Sequence, residues 1–289
     1  MTKMLDFGGY KIATIETGTF RLDGGAMFGV VPFPLWSKLH IPDERQRVRL
    51  AARVMLLQGH GKIILVDVGN GNKYSEKLLD IYNIEHKTGE LERGLLEYGI
   101  RPENVTDVIL THFHFDHAGG CTKMSGGRPV PVFPHAKYYI QKEHSRWSEN
   151  PTEKDRASFF EADYVPLREA GSLIEISGDI ELLPSIFVKR TYGHTIALQT
   201  ITIKSDGADL LYVSDLIPTS VHLPLPYIMA YDLQPLQTLK EKREVLERVA
   251  SEGSYIVFEH DPIVVASTVE RTDRGIKLGR SFRSLGEIS

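Results

Sequence analysis

The alternation of apolar and polar positions predicts strands and helices in a regular order along the first half of the chain. Residues 11–18 and 48–57 alternate as half-buried strands do, and residues 62–69 form a nearly continuous apolar run that ends in a turn signal. Helical spacing follows at residues 74–82 and 88–98, with Gly99 as a stop signal, before residues 105–110 return to a short buried strand.

The second half of the chain repeats this order. The pattern predicts strands at residues 171–183, 187–191, 198–203 and 210–213, a helix at 236–250, and a last strand at 255–258. Two sheets with helices on their outer faces fit this alternation. No internal repeat or Pro/Gly/Ser-rich linker divides the chain, so we expect a single domain over residues 1–289.

Composition narrows the classes of partner. The chain has 289 residues, 42% of them hydrophobic, which is enough for one sizeable core. Its 34 basic and 38 acidic residues give a net charge of −4, which argues against a nucleic-acid partner and favours a small-molecule substrate. No stretch approaches the ~18 apolar residues that span a bilayer, so we expect a soluble, cytoplasmic protein with no membrane partner. The single cysteine, Cys121, excludes an internal disulfide and a thiolate-rich zinc cluster.

Three histidines and an aspartate are concentrated just after the strand predicted at 105–110, in the segment Thr-His-Phe-His-Phe-Asp-His-Ala-Gly-Gly of residues 111–120. In an extended backbone His112 and His114 point the same way, and a following turn can direct Asp116 and His117 towards a neighbouring point. One segment can therefore serve two adjacent metal ions. Imidazole and carboxylate ligands suit zinc, iron, manganese and cobalt.

Three distant residues, His194, Asp215 and His260, also follow predicted buried strands. The order HxHxDH, then His, Asp and His, resembles the metallo-β-lactamase fold superfamily. The resemblance runs from about residue 54 to 260 and includes Asp67 after an early strand and the Gly119-Gly120 pair after the cluster.

The resemblance implies an α+β fold, an αββα sandwich of two mixed sheets packed face to face with helices on the outer faces. It makes His112, His114 and His194 the ligands of a first metal, Asp116, His117 and His260 the ligands of a second, and Asp215 the bridge. Two divalent ions are expected, with zinc favoured. Asp215, rather than a cysteine, argues against the zinc β-lactamases proper, and His114, rather than a glutamate, argues against the flavodiiron reductases. The context Tyr-Gly-His-Thr at 192–195 is most similar to the quorum-quenching lactonase and methyl parathion hydrolase group.

The chemistry expected from two such metals is hydrolysis of an ester, lactone or phosphoester with a hydrophobic portion, by a hydroxide held between the ions. Asp116 is the candidate catalytic proton shuttle. Asp67 is expected to accept a hydrogen bond from a ligand histidine or to cap its own loop. Two alternatives stay open, namely a mononuclear iron enzyme similar to persulfide dioxygenases, and a metal-retaining binding or sensing module.

The substrate pocket is where the sequence departs from the lactonases, which carry a tyrosine shortly after the bridging aspartate. Here Leu-Ile-Pro follows Asp215, and His222 or Tyr227 are candidates for the same space. The glycine-flanked segment at about 20–35 predicts a hairpin whose Met27 and Phe28 cover the active site, with a buried hydrophobic turn as the alternative. Relatives also dimerise, so a homodimer stays open as an expectation, although no heptad pattern here requires one.

Overall fold

The computed structural model describes residues 3–85, 90–273 and 275–288. Its strands, in chain order, are β1 (Leu5–Phe7), β2 (Tyr10–Asp23), β3 (Arg47–Gly59), β4 (Lys62–Val66), β5 (Asp107–Ile109), β6 (Thr122–Ser125), β7 (Arg128–Pro131), β8 (Lys137–Gln141), β9 (Leu173–Ile176), β10 (Ile180–Leu183), β11 (Ile186–Thr191), β12 (Leu198–Ile203), β13 (Leu210–Tyr212), β14 (Tyr255–Val257), β15 (Ala266–Thr272) and β16 (Gly275–Phe282). Its α-helices are α1 (Gly24–Phe28), α2 (Phe33–Trp36), α3 (Glu76–Tyr82), α4 (Glu90–Glu97), α5 (Phe115–Ala118), α6 (Lys142–Glu149), α7 (Glu161–Glu169) and α8 (Pro235–Glu252). Within these ranges, no helix is long and apolar enough to cross a membrane.

Two mixed sheets of seven strands each form the centre of the molecule. The first has the order β1-β2-β3-β4-β5-β8-β9 and the second the order β10-β11-β12-β13-β14-β15-β16, while β6 and β7 form a separate hairpin. Strands β4, β5, β8 and β9 run parallel to one another, and so do β13 and β14. Because β11 and β13 both run antiparallel to β12, they share one direction.

Successive side chains of a strand point to opposite faces of its sheet, so the core lies in three layers, one between the sheets and one on each outer face. Met55 and Leu57 of β3 face the second sheet and pack with residues such as Ile201 and Tyr212, whereas Leu56 between them faces the outer helices. The outer face of the first sheet is covered by α4 and α7, and that of the second by α8. The predicted αββα sandwich is therefore confirmed.

Most predicted elements lie within a few residues of the observed ones, and three differences are informative. The strand predicted at 171–183 is two strands, β9 and β10, which belong to different sheets because the Ser-Gly-Asp turn at 177–179 carries the chain across the sandwich. The predicted helix at 88–98 is observed as α4, and residues 88 and 89 lie outside the described residues. Strand 255–258 is not the last, since β15 and β16 follow it.

The segment predicted as a hairpin at 20–35 is instead the end of β2 followed by the two short helices α1 and α2. The Asp23 side chain accepts a hydrogen bond from the Ala26 N–H at 2.7 Å and so caps the first helix. Met27 and Phe28 are both buried in this segment.

Candidate metal centre

The seven predicted ligands converge because each follows a strand that ends at one edge of the sandwich. The cluster at 112–117 follows β5, and Asp67 follows its parallel neighbour β4. His194 follows β11, Asp215 follows β13, and His260 follows β14. Since these second-sheet strands share a direction, their carboxyl ends meet those of β4 and β5 at the same edge.

The HxHxDH segment supplies ligands in two directions, as its spacing predicts. The ring centroids of His112 and His114 are 4.4 Å apart, and the chain then turns into α5, where the His117 ring centroid lies 4.0 Å from that of His112. Phe113, between the two histidines, is completely buried in the outer core of the first sheet.

The ligand atoms of the seven predicted residues form two adjacent groups, and Asp67, His117 and Glu259 form a third. Atoms of His112, His114, His194 and Asp215 all lie within 4.8 Å of one another, and so do atoms of Asp116, His117 and His260. Asp215 is shared between the groups, because its carboxylate is 3.1 Å from His194 Nε2 and 3.0 Å from His260 Nε2. All seven side chains are buried.

The protonation pattern of the imidazoles fits divalent cations. His194 Nδ1 lies 2.9 Å from Asp232 Oδ1 and His260 Nδ1 lies 2.9 Å from the Ala51 carbonyl, so each Nδ1 donates and each Nε2 is the ring atom that can bind a metal ion. His260 Nε2 then faces His117 Nε2 at 3.1 Å, where two lone pairs repel unless a proton or cation lies between them. The Nε2 atoms of His112 and His114 are buried without a hydrogen-bond partner. Nitrogen and carboxylate donors of this kind suit zinc, iron, manganese and cobalt.

Burial and the neighbouring charges together determine the pKa values of the ligand histidines. Burial and the neighbouring imidazoles lower the pKa of His112 and His114 well below the ordinary value. Burial alone would also lower the pKa of His194 and His260, but the Asp215 carboxylate raises both to about 9. Metal ions bind imidazole in its neutral form, so the metal affinity of these ligands is expected to rise with pH.

Asp67 adopts the supporting position that the resemblance implied. It is fully buried with a left-handed backbone, φ 54°, and its carboxylate accepts from the Thr111 N–H and Oγ1, both at 2.7 Å. Its Oδ2 also lies 3.2 Å from His117 Nδ1. Asp67 thus contacts a ligand histidine, one of the two roles that the sequence left open, and it holds the segment that follows β5 rather than its own loop.

Two buried carboxylates beside the ligands were missed from the sequence. Glu259 Oε2 lies 3.0 Å from His117 Nδ1, and burial raises the pKa of Glu259 to about 7. Asp232 contacts His194 as described above. Glu259 directly precedes His260, and this adjacency was its only signal, whereas Asp232 lies in a loop without periodicity.

A cleft opens above the ligand atoms. Its apolar wall is formed by Leu22, Met27, Leu50, Phe115 and Met229, and the carboxylate of Asp116 and the imidazoles of His114, His194 and His260 lie at its base. Tyr82, Tyr231 and Lys154 supply polar groups. The apolar wall beside a few polar groups suits a small organic ligand.

Of the four predicted pocket residues, one lines the cleft and three lie behind its wall. Met27 lines the cleft, but Phe28 is stacked between Trp36 and His222, with ring centroids 5.1 and 4.7 Å away. His222 faces the Met27 carbonyl at 2.9 Å and Tyr227 packs edge-on against Phe28. These three residues thus lie in the packed layer that carries Met27, and Tyr82 and Tyr231 provide the phenols of the cleft.

Comparison with known proteins agrees with this geometry. The family model described as Metallo-beta-lactamase superfamily matches residues 47–260. An N-acyl homoserine lactonase from Bacillus sp. is 25% identical over 170 residues, which are 58% of this chain and 60% of the lactonase, so the match spans less than two thirds of that relative.

The solved structures that are similar over nearly the whole chain include the following two. A probable metal-dependent hydrolase from Staphylococcus aureus is 28% identical, with a TM-score of 0.87 over 96% of this chain and 98% of that one. AidC, a dizinc quorum-quenching lactonase in complex with its product, is 20% identical, with a TM-score of 0.80 over 97% of both chains. At that identity the second likeness shows the fold alone.

Proposed function

The chain belongs to the metallo-beta-lactamase superfamily, and from that membership we propose that it is a dinuclear metal-dependent hydrolase of uncharged lactones or esters with an apolar portion. One observation carries the proposal: two complete ligand groups share Asp215 at the base of an apolar cleft. Zinc is the favoured metal for both groups, because structural neighbours include a dizinc lactonase and the donors are nitrogen and carboxylate oxygen.

His112, His114, His194 and Asp215 would hold the first ion, and Asp116, His117 and His260 the second. Two such ions, when bound, lower the pKa of a water molecule to near neutrality and polarise the bond under attack. Asp116 is the residue of this chain that handles the proton. Its carboxylate lies 3.8 Å from His117 Nε2 and 3.7 Å from His260 Nε2, and it also lines the cleft, so it reaches both the ligands and a substrate atom.

The polar groups of the cleft favour a substrate whose reacting group is uncharged. The Lys154 ammonium is the cation of its lining, and it already donates to the carbonyls of Ala230 and Tyr231 at 2.6 and 3.2 Å. The phenols of Tyr82 and Tyr231 are neutral donors, and burial raises the pKa of both. Apart from the two ions themselves, the lining of the cleft offers a phosphomonoester or phosphodiester anion no further free cation, whereas a carbonyl or phosphotriester oxygen needs only a neutral donor.

Tyr231 takes the role of the tyrosine that lactonases carry after the bridging aspartate. Its ring lines the cleft, and Lys154 holds its backbone carbonyl. Tyr231→Phe is expected to lower kcat/KM about tenfold, because one hydrogen bond to the substrate contributes about 1.5 kcal/mol. Tyr227→Phe is the matched control, since Tyr227 packs against Phe28 outside the cleft lining. Equal kinetics for the two variants would remove Tyr231 from the proposal.

Metal analysis and hydrolysis assays test the proposed function together. Elemental analysis of purified protein should find two zinc-like ions per chain, with fewer in Asp215→Asn but not in Asp107→Asn, a buried aspartate at the start of β5. The loaded protein should hydrolyse N-hexanoyl homoserine lactone, an aryl ester or a phosphotriester faster than a phosphodiester.

Other outcomes favour the alternatives. A single iron per chain would support the mononuclear oxygenase. Two bound ions without hydrolysis of any compound in the panel would support a binding or sensing module. A preference for the phosphodiester would contradict the argument from the polar groups of the cleft.

A further inference from the structure

His144 lies on α6 between two segments that carry predicted metal ligands. Its side chain is fully buried. The Phe113 N–H donates to His144 Nε2 at 2.8 Å, and His144 Nδ1 lies 2.8 Å from the Ile196 carbonyl. Phe113 separates His112 from His114, and Ile196 is two residues beyond His194, so one imidazole bridges the backbones that position three ligands.

These two contacts determine the tautomer of His144. Because a backbone N–H only donates and a carbonyl only accepts, Nε2 carries the lone pair and Nδ1 carries the proton. The ring is therefore neutral, in agreement with burial, which lowers the pKa of His144 to about 4. A neutral imidazole satisfies both backbone groups with defined direction, which no aliphatic side chain of similar volume can do.

Ring packing reinforces the same bridge. The His144 ring lies edge-on to Phe113, with centroids 5.4 Å apart, and is tilted against Phe159 at 5.8 Å. Phe159 in turn packs edge-on against His114 at 4.9 Å. Deeper in the sandwich the two segments are joined by Gln199, whose N–H and side chain donate to the carbonyls of Thr111 and Leu110. His144 is the corresponding bridge on the side of the ligands.

We propose that His144 is a positioning residue that sets the separation of the His112–His114 pair from His194, and thereby controls metal affinity at the first ligand group but not at the second. The inference rests on the proposed function, because it needs two metal groups. The second group depends on different supports, since His117 contacts Asp67 and Glu259, and His260 contacts Ala51.

Three variants of His144 separate its two hydrogen bonds. His144→Gln places a carbonyl oxygen near the position of Nε2 and keeps the acceptor for Phe113. His144→Asn places an amide N–H near the position of Nδ1 and keeps the donor to Ile196. His144→Leu removes both bonds. His40→Leu is the matched control, because His40 is also buried and hydrogen-bonded, to the Arg49 carbonyl, but contacts no predicted ligand.

Stepwise cobalt titration against a chelator, followed by the visible spectrum, measures the affinity of each group. The single-group variants His194→Ala and His260→Ala identify which spectral change belongs to which group. In His144→Leu the affinity of the first group should fall about 10–100-fold, the usual effect of losing a residue that orients a ligand, with the second group unchanged. Gln and Asn should lose less than Leu, and His40→Leu should lose stability without losing affinity.

The outcomes distinguish the inference from the function on which it rests. A wild-type protein that binds fewer than two cobalt ions contradicts the proposed dinuclear centre itself. Two ions in the wild type, with affinities in His144→Leu within twofold of it at both groups, overturn the role of His144. If the Leu variant does not fold, Gln and Asn decide: a loss confined to the first group supports the inference, and unchanged affinity in both overturns it.

Discussion

Replacing Asp232 with Asn tests whether a carboxylate outside the ligand set controls the metal centre. Asp232 Oδ1 lies 2.9 Å from His194 Nδ1, and both side chains are buried. The substitution keeps the size of the side chain but removes the charge that makes His194 a stronger donor of electrons from Nε2. The loss should therefore appear in metal binding at the first group.

The expected magnitude follows from the contacts that remain. The Leu233 and Gln234 N–H groups donate to the carbonyls of His194 and Gly193 at 3.0 and 2.8 Å, so the backbone pairing of the segment survives. The Asn amide oxygen can still accept a hydrogen bond from His194 Nδ1. The substitution therefore removes only the contribution of the carboxylate charge to that hydrogen bond. Metal affinity should fall about tenfold, or about 1.4 kcal/mol, and towards 100-fold in Asp232→Ala, which leaves the imidazole N–H unpaired.

Chelator competition on purified protein measures this loss. Asp107→Asn is the control, because Asp107 is buried and accepts a hydrogen bond from Tyr139 at 3.0 Å, yet lies at the start of β5 rather than at its ligand-bearing end. The control should lose stability and keep metal affinity. Metal affinity in Asp232→Asn and Asp232→Ala within twofold of the wild type would refute the view that this carboxylate orients His194.

Three further changes probe the framework of the site. Phe28→Ala should lower the free energy of unfolding by about 3–5 kcal/mol, because the buried ring is stacked on Trp36; a loss below about 1 kcal/mol in urea denaturation would contradict this packing. Arg53→Met should cost at least about 2 kcal/mol, since its buried guanidinium donates to three carbonyls around His260; an equally stable variant would show that those carbonyls find other donors. Burial lowers the pKa of Lys242 to about 7, so the folded protein releases this proton before the unfolded chain does and stability rises with pH above 7. Relative to Lys242→Met, the wild type should gain about 3 kcal/mol between pH 7 and 9.5 in denaturant titrations, and a constant difference would contradict the shift.

The sequence by itself determined the features whose physics is local. Alternation with period two located strands such as β12 at Leu198–Ile203, and the spacing of His112, His114, Asp116 and His117 predicted ligands in two directions, because side-chain direction depends on only a few backbone dihedral angles. The family resemblance added three distant partners, since each follows a strand end. Together these features were sufficient for the fold class, which the structure confirms.

Only the tertiary structure decided the surroundings of the ligands. Three supporting residues contact the ligands or their backbone: His144 contacts Phe113, Asp232 contacts His194, and Glu259 contacts His117. They lie in loops and a helix whose sequences carry no periodic signal. The two residues of each pair are separated by 31 to 142 positions in the chain. In the same way, the turn at 177–179 divides one predicted strand between two sheets. Such contacts depend on how the sheets stack and how the loops cross. The free energy that selects them comes from burial and hydrogen bonding between segments far apart in the chain. The local conformational preference of a segment therefore contains no information about them.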